Sequence, residues 1–217
     1  NAAKGYEPMT KENVIELYQS GVFEIAAHGH HHKNTQEDIK QGVEVLTDWL
    51  GEEWHNNGVG FASPYDAIGE DRFNAEKKFF EETNIVYVRG NCYLRNFWHR
   101  LYNKVLPLIV KDKERYSYCC AKQCMQSPKK RSFYRSVGTT FDTSLEFWKS
   151  VIDKAAYDGK ICIFMIHSVL NPKDAMYGDK YSYDSNRFEK LCQYLIQLVD
   201  AGKIEVKTNM EIYKDGE

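Results

Sequence analysis

Four histidines fall within five positions of this 217-residue chain, His28, His30, His31 and His32, in the run Phe-Glu-Ile-Ala-Ala-His-Gly-His-His-His-Lys-Asn-Thr from 23 to 35. Neutral imidazole is the commonest metal ligand near neutral pH. His28 and His32 stand four residues apart on one short turn, so the pair can grip a divalent ion from two sides. Two imidazoles do not complete a catalytic site, because catalytic zinc usually takes three protein ligands and leaves one position open for water or substrate. His30 and His31 are candidates for the third donor, but neighbours in so tight a cluster do not usually aim at one ion; they read as solvated or as supports for the ligands. His55 and His99 have no such partners in the sequence and read as surface residues.

Two further polar signals follow short apolar runs. Ser63-Pro64-Tyr65 cuts off Val59 to Ala62, and His167 directly follows Ile161 to Ile166. Asp66, next to Tyr65, is either a turn residue or a carboxylate on the same rim as the histidines. His167 is either a satisfied rim residue or a working one.

The elements that must position these groups alternate between helix and strand. Thr10 caps a helix to about Ser20, with Val14, Leu17 and Tyr18 on one face. Thr35 with Asp38 resembles a capping box, opening a helix whose stripe is Ile39, Val43, Leu46 and Leu50 and which Gly51 ends. Further helices are expected at 71–82, around Trp98, Leu101 and Val105 as far as Pro107, along Leu145, Trp148, Ile152 and Ala155 to Gly159, and at 186–201. Strands are expected at 23–27, 59–62, 85–88, 161–166 and 204–207, that at 161–166 buried on both faces. Such alternation implies parallel β-α-β units, in which active residues collect at the carboxyl ends of strands. The histidine cluster, Ser63-Pro64-Tyr65 and His167 all occupy such ends.

Composition bounds the rest. The length suits one domain, residues 1–217. Hydrophobic residues at 42 %, charged residues at 28 % and a formal net charge of −2 are ordinary globular values, with no global pull toward nucleic acid or anionic membrane. No apolar run is long enough to span a membrane. Fifteen tyrosines suit the edges of a core or the faces of sugars. Residues 111–135 carry eight Lys or Arg against two acids, with Cys119, Cys120 and Cys124 and interleaved Tyr116, Tyr118, Phe133 and Tyr134. That stretch reads as a solvated basic insertion, and nucleic-acid binding through it is the weaker alternative. Cys162 and Cys192 sit in apolar periodic segments and read as buried small hydrophobes; Cys92 is left unassigned. The opening Asn1-Ala2-Ala3 is expected to follow a trimmed start, with any export signal already removed.

Taken together, the motifs resemble those of the polysaccharide deacetylases with a NodB-type domain, carbohydrate esterase family 4. Glu24 to His32 looks like the family's second motif, a small-residue-flanked His, three residues and another His. Ser63-Pro64-Tyr65 looks like the third, and Ile163-Phe164-Met165-Ile166-His167-Ser168 like the last, a hydrophobic strand ending in the catalytic His. The likeness covers most of the chain and is weakest between about 90 and 140.

The resemblance implies a distorted, incomplete (β/α) barrel and a hydrolase that removes acetyl groups from N- or O-acetylated carbohydrate, acting on non-peptide carbon–nitrogen bonds. It implies a divalent metal, zinc with cobalt or nickel as alternatives, on His28 and His32. Pro64 and Tyr65 line the substrate groove, and the Tyr65 N–H receives the oxyanion. His167 protonates the leaving group. By analogy with the family, the protein is secreted or in the cell envelope.

Two departures matter. The family's Asp-Asp motif, which supplies the base and the metal-binding Asp, has no counterpart among the 27 residues before His28, whose only acids are Glu7, Glu12, Glu16 and Glu24. Ala62 stands where the third motif carries Arg. Either an upstream segment is absent, or the protein binds carbohydrate without turnover, or another acid, with Asp66 the candidate, replaces the lost one. A barrel short of its first strand has an open edge, for which a homodimer is the expected remedy.

Overall fold

The computed structural model describes residues 9–90, 105, 113–129 and 132–215. The helix expected around Trp98 and Leu101, together with Cys92, His99 and the side chains of Tyr116 and Cys119, lies outside them. The chain falls into two compact units, the first made of Asn1–Asn91, Lys129–Tyr134 and Lys207–Glu217 and the second of Cys92–Pro128 and Arg135–Val206. The class is mixed α/β, with a parallel sheet whose strands are hydrogen-bonded in chain order, β1 (Val59–Ala62), β2 (Ile85–Gly90), β3 (Phe133–Gly138) and β4 (Ile163–Met165).

In the first unit, α1 (Lys11–Gln19) starts at Thr10, whose side chain accepts from Asn13 N while the Asn13 side chain accepts from Thr10 N, a reciprocal cap. The stripe of α2 (Gln36–Leu50) buries Ile39 and Val43, with Leu46 and Leu50 packed alongside, and Gly51 at φ +89 ends the helix. After α3 (Glu52–Asn56), β1 (Val59–Ala62) pairs in parallel with β2 (Ile85–Gly90), in a register that sets Ala62 opposite Arg89. Val88 N donates to Ser132 O at 2.9 Å, beside the start of β3 (Phe133–Gly138). The helical segment expected at 71–82 is two short helices, α4 (Glu70–Ala75) and α5 (Lys77–Glu82). They part at Glu76, where φ −102 and ψ +16 leave the helical region and Arg72 holds the carboxylate through two nitrogens.

The strand expected at 23–27 is a single bridge, Ala27 with Phe61. Glu24 is held by its side chain instead of by a ladder: one carboxylate oxygen accepts from the Tyr87 hydroxyl and the other from Met210 N at 2.9 Å, at the start of the last helix, Asn209–Asp215. Burial and the neighbouring Glu24 carboxylate push the Tyr87 phenol well above its usual range.

In the second unit, the segment read as a solvated insertion is largely regular structure. α6 (Lys113–Cys124) buries Ala121 and Cys124, Met125 follows them into the core, and Lys122 faces solvent. The count of basic residues concealed one apolar face. The end of β3 pairs in parallel with β4 (Ile163–Met165), Ser136 opposite Ile163. β4 is half-buried, not covered on both faces as expected; it is the last strand in the sheet order, with one ladder partner among the described residues. α7 (Leu145–Asp158), capped by Ser144, buries Trp148, Val151 and Ile152, and Gly159 ends it in the left-handed conformation. β5 (Ser168–Leu170) pairs with β6 (Ser182–Asp184), and α8 (Ser185–Asp200) begins at Asp184, which accepts from Arg187 N. Residues 204–207 form no strand; Ile204 packs against the core of the second unit while Val206 is largely exposed.

A methyl group added at Gly60 in β1 would overlap the Tyr87 hydroxyl and lie 2.8 Å from Glu24 Oε1. Gly60→Ala is expected to cost about 1–3 kcal/mol of stability, read as a lower urea midpoint at unchanged slope. Burial pushes the Cys162 thiol up to about 12, so its alkylation at pH 8 should be far slower than that of a model thiol peptide, as measured by mass spectrometry.

Candidate functional site

The site in the first unit is built outward from Ala27. Ala27 N donates to Gly60 O at 2.8 Å and Ala62 N donates to Ala27 O at 2.9 Å, so the next residue, His28, emerges beside the end of β1. His28 Nδ1 lies 2.7 Å from the Ala62 carbonyl oxygen. A carbonyl can only accept, so Nδ1 carries a proton, and in the neutral ring that tautomer puts the lone pair on Nε2. The His28 ring meets the His32 ring at 4.7 Å between centroids, and His32 meets Tyr65 at 4.4 Å, both edge to face. His30 and His31 pack on each other at 4.3 Å. The four histidines thus divide into two pairs.

The loop carrying them closes on Asp38, which is 4 % exposed. Its carboxylate accepts from His31 N at 2.7 Å and from Lys33 N at 2.9 Å, and its carbonyl accepts from His30 N at 3.1 Å. Burial pushes the Asp38 carboxyl up, but the two backbone donors and the adjacent His31 outweigh it and hold the group below the usual carboxylate range. The expected capping box is therefore only half formed. Thr35 Oγ1 accepts from Asp38 N at 3.2 Å, while the Asp38 carboxylate turns to the histidine loop.

Opposite this loop, Pro64–Asp66 forms a single 3₁₀ turn in which Tyr65 and Asp66 have φ +55 and +49. Among the described residues, four other than glycine have positive φ: His32, Tyr65, Asp66 and Asn84. Three belong to this site. Left-handed backbone is unfavourable for such side chains and collects at binding and catalytic sites.

Asn34 ties the two loops together. Its Nδ2 donates to Pro64 O at 2.9 Å and its Oδ1 accepts from Ser63 Oγ at 3.0 Å, while its carbonyl accepts from Arg72 Nη2 at 2.5 Å. Asp66 accepts from Arg89 Nη1 at 2.7 Å, across the register in which Ala62 and Arg89 are partners.

The structure therefore brings His28, His32 and Tyr65 into one line of ring contacts, with Pro64 buried in the turn and Asp66 ion-paired beside it. Tyr65 is 81 % exposed. His167 belongs to the second unit, where it is exposed between β4 and β5 with its ring 5.3 Å from Tyr181. Asp38, Asn34 and Arg89 are the residues that sequence reasoning missed. Asp38 carried a signal, but its helix-capping position gave it another meaning, and the other two act through contacts more than 20 residues away in the chain.

By residue type His28 and His32 fit the demand of a divalent ion for imidazole donors, and a backbone carbonyl on Nδ1 is the usual support of such a histidine. Among the described residues no group of three His, Cys, Asp or Glu side chains is arranged to hold a metal, so the third protein donor is not found with them. No family model, curated protein or solved structure matches the chain.

The lowered Asp38 carboxyl fixes a pH dependence. A depressed folded value means the stability it adds is fully present above the unfolded value, ~4 for Asp, and is lost as pH falls through the lower folded value. The stability difference between the wild type and Asp38→Asn should be constant from pH 7 down to about 5 and shrink progressively below ~4, as followed by urea denaturation at each pH.

Proposed function

We propose that this protein is a divalent-metal-dependent acetyl hydrolase acting on N- or O-acetylated carbohydrate, of the polysaccharide deacetylase type, on an incomplete (β/α) barrel. The observation that carries this reading is the His28–His32–Tyr65 line. His28 is fixed through Nδ1 on the Ala62 carbonyl, and His32 packs between His28 and an exposed Tyr65 on strained backbone. The motif order along the chain and the parallel strand pairing support the same reading.

In it, His28 and His32 hold the ion, zinc or a metal of similar preference such as cobalt or nickel. When bound, such an ion lowers the pKa of its water toward ~7 and polarises an acetyl carbonyl. The chain's own groups do the rest. The Ala62 carbonyl keeps His28 in one tautomer and one orientation. The Tyr65 N–H donates to no acceptor among the described residues, and in this reading it receives the developing oxyanion. The exposed Tyr65 ring offers a flat face to a sugar. Asp66, held by Arg89, is the carboxylate on this rim, and the role of proton donor falls to His167 on the resemblance alone.

A second reading, a carbohydrate-binding relative without turnover, is favoured by the lack of a third metal donor beside the His pair among the described residues. Among the same residues no helix is long and apolar enough to cross a membrane.

Elemental analysis of protein purified without chelators, paired with an acetate-release assay on an acetylated glycan, separates these. The expected result is about one ion per chain, lost in the His28→Ala/His32→Ala double variant, with acetate released only by the wild type. Stoichiometric metal without acetate would select the silent relative. Absence of metal from the wild type would sink the hydrolase reading.

A further inference from the structure

His32 carries an imidazole of the candidate site on a backbone that its residue type disfavours, φ +57, and something must hold it there. The peptide groups on either side of it give the answer. His31 N and Lys33 N both donate to the one carboxylate of Asp38, at 2.7 and 2.9 Å. Rotating residue 32 out of the left-handed region swings these two N–H groups apart, so the flip would break at least one charge-assisted hydrogen bond inside a site where Asp38 is buried.

Asp38 is itself immobile. Its N–H is capped by Thr35, and the next residue, Ile39, is in the core. The fit around the carboxylate is close: Gly29 has φ +79, a Cβ there would lie 2.5 Å from Asp38 Oδ2 and 2.9 Å from the Lys33 carbonyl, and Gly42 of α2 packs against Gly29. The ordinary requirement of a helix start would be met by Thr35 alone. The carboxylate is spent on the loop.

We infer that Asp38 is the positioning residue of this site: by accepting from the amides on both sides of His32 it locks that residue in the left-handed conformation that presents its ring to His28 and Tyr65. The functional consequence rests on the metal-site reading above; the conformational one does not. The Asp38 carboxylate accepts from the loop amides and lies 3.4 Å from His31 Nδ1. It acts through the backbone of His32, which distinguishes it from a group that only stabilises the helix start.

The test uses the full chain and four proteins: wild type, Asp38→Asn, His32→Gly and the double variant. Glycine adopts positive φ freely, so a chain with Gly at 32 no longer needs the carboxylate to hold the turn. The loss in urea midpoint caused by Asp38→Asn is expected to be clearly smaller in the His32→Gly background than in the wild type. Equal losses in both backgrounds would overturn the inference. In metal-free protein, NOEs between the His32 and Tyr65 rings are expected in the wild type and absent in Asp38→Asn; their persistence in that variant would also overturn it.

Zinc affinity, titrated as the metal alone, should fall at least 10-fold in Asp38→Asn, in the range seen when a ligand's supporting group is removed. Unchanged affinity would overturn the inference. A wild type that binds no zinc would remove the metal reading while leaving the NOE and midpoint results to decide the role of Asp38. If Asp38→Asn does not fold, the double variant decides: a folded double variant supports the inference, and an unfolded one shows that Asp38 serves the core alone and overturns it.

Discussion

Two backbone hydrogen bonds, Ala27 N to Gly60 O and Ala62 N to Ala27 O, carry the candidate site of this protein. They are all that remains of a strand, yet they decide where His28 leaves the sheet and place its ring against the Ala62 carbonyl. Everything around the bridge protects it. Ala27 and Phe61 are fully buried, Gly60 leaves room for the Tyr87 hydroxyl, and Glu24 three residues upstream is tied both to Tyr87 and to the backbone at Met210. A half-buried carboxylate and a buried phenol in direct contact stabilise this arrangement only while both are satisfied, so the segment before His28 has little freedom to shift.

The rim above the bridge stores strain. His32, Tyr65 and Asp66 each hold positive φ, at a cost on the order of 1–3 kcal/mol per residue, and each is answered by a specific polar contact nearby. Asp38 faces the amides flanking His32, Asn34 and Ser63 brace the turn that contains Tyr65, and Arg89 holds Asp66. Loops that merely connect elements do not need such bracing. Three strained residues close together, two of them aromatic and exposed to solvent, are thereby held in a fixed shape. In the second unit local rules explain more: Ser144 and Asp184 cap their helices by the expected bonds, and the apolar stripes of α7 and α8 meet in one core.

Much of this was legible in the sequence because it depends on near neighbours. The bounds of β1, the Thr10 cap, the stripe of α2 and the glycine stops follow from periodicity and from backbone preferences acting over three or four residues. The misreadings have physical causes of the opposite kind. Residues 111–135 looked solvated because charge was counted along the chain, whereas Ala121, Cys124, Phe133 and Tyr134 are buried by partners elsewhere in the fold. The segments at 23–27 and 204–207 have strand-like composition but, among the described residues, lack the ladder partners that would make them strands.

The sequence by itself determined the chemistry on offer: two imidazoles four residues apart, a Pro-Tyr turn after one apolar strand and a histidine after another. Only the tertiary structure decided what each carboxylate is for. Asp38 is committed to the histidine loop and Asp66 to Arg89, because a parallel register sets Arg89 beside Ala62 and a turn of left-handed residues brings the loop amides onto α2. Helix and turn signals are written over a few residues and survive in one dimension. The partner of a charge is set by which strands lie side by side, and that choice is made only when the chain packs.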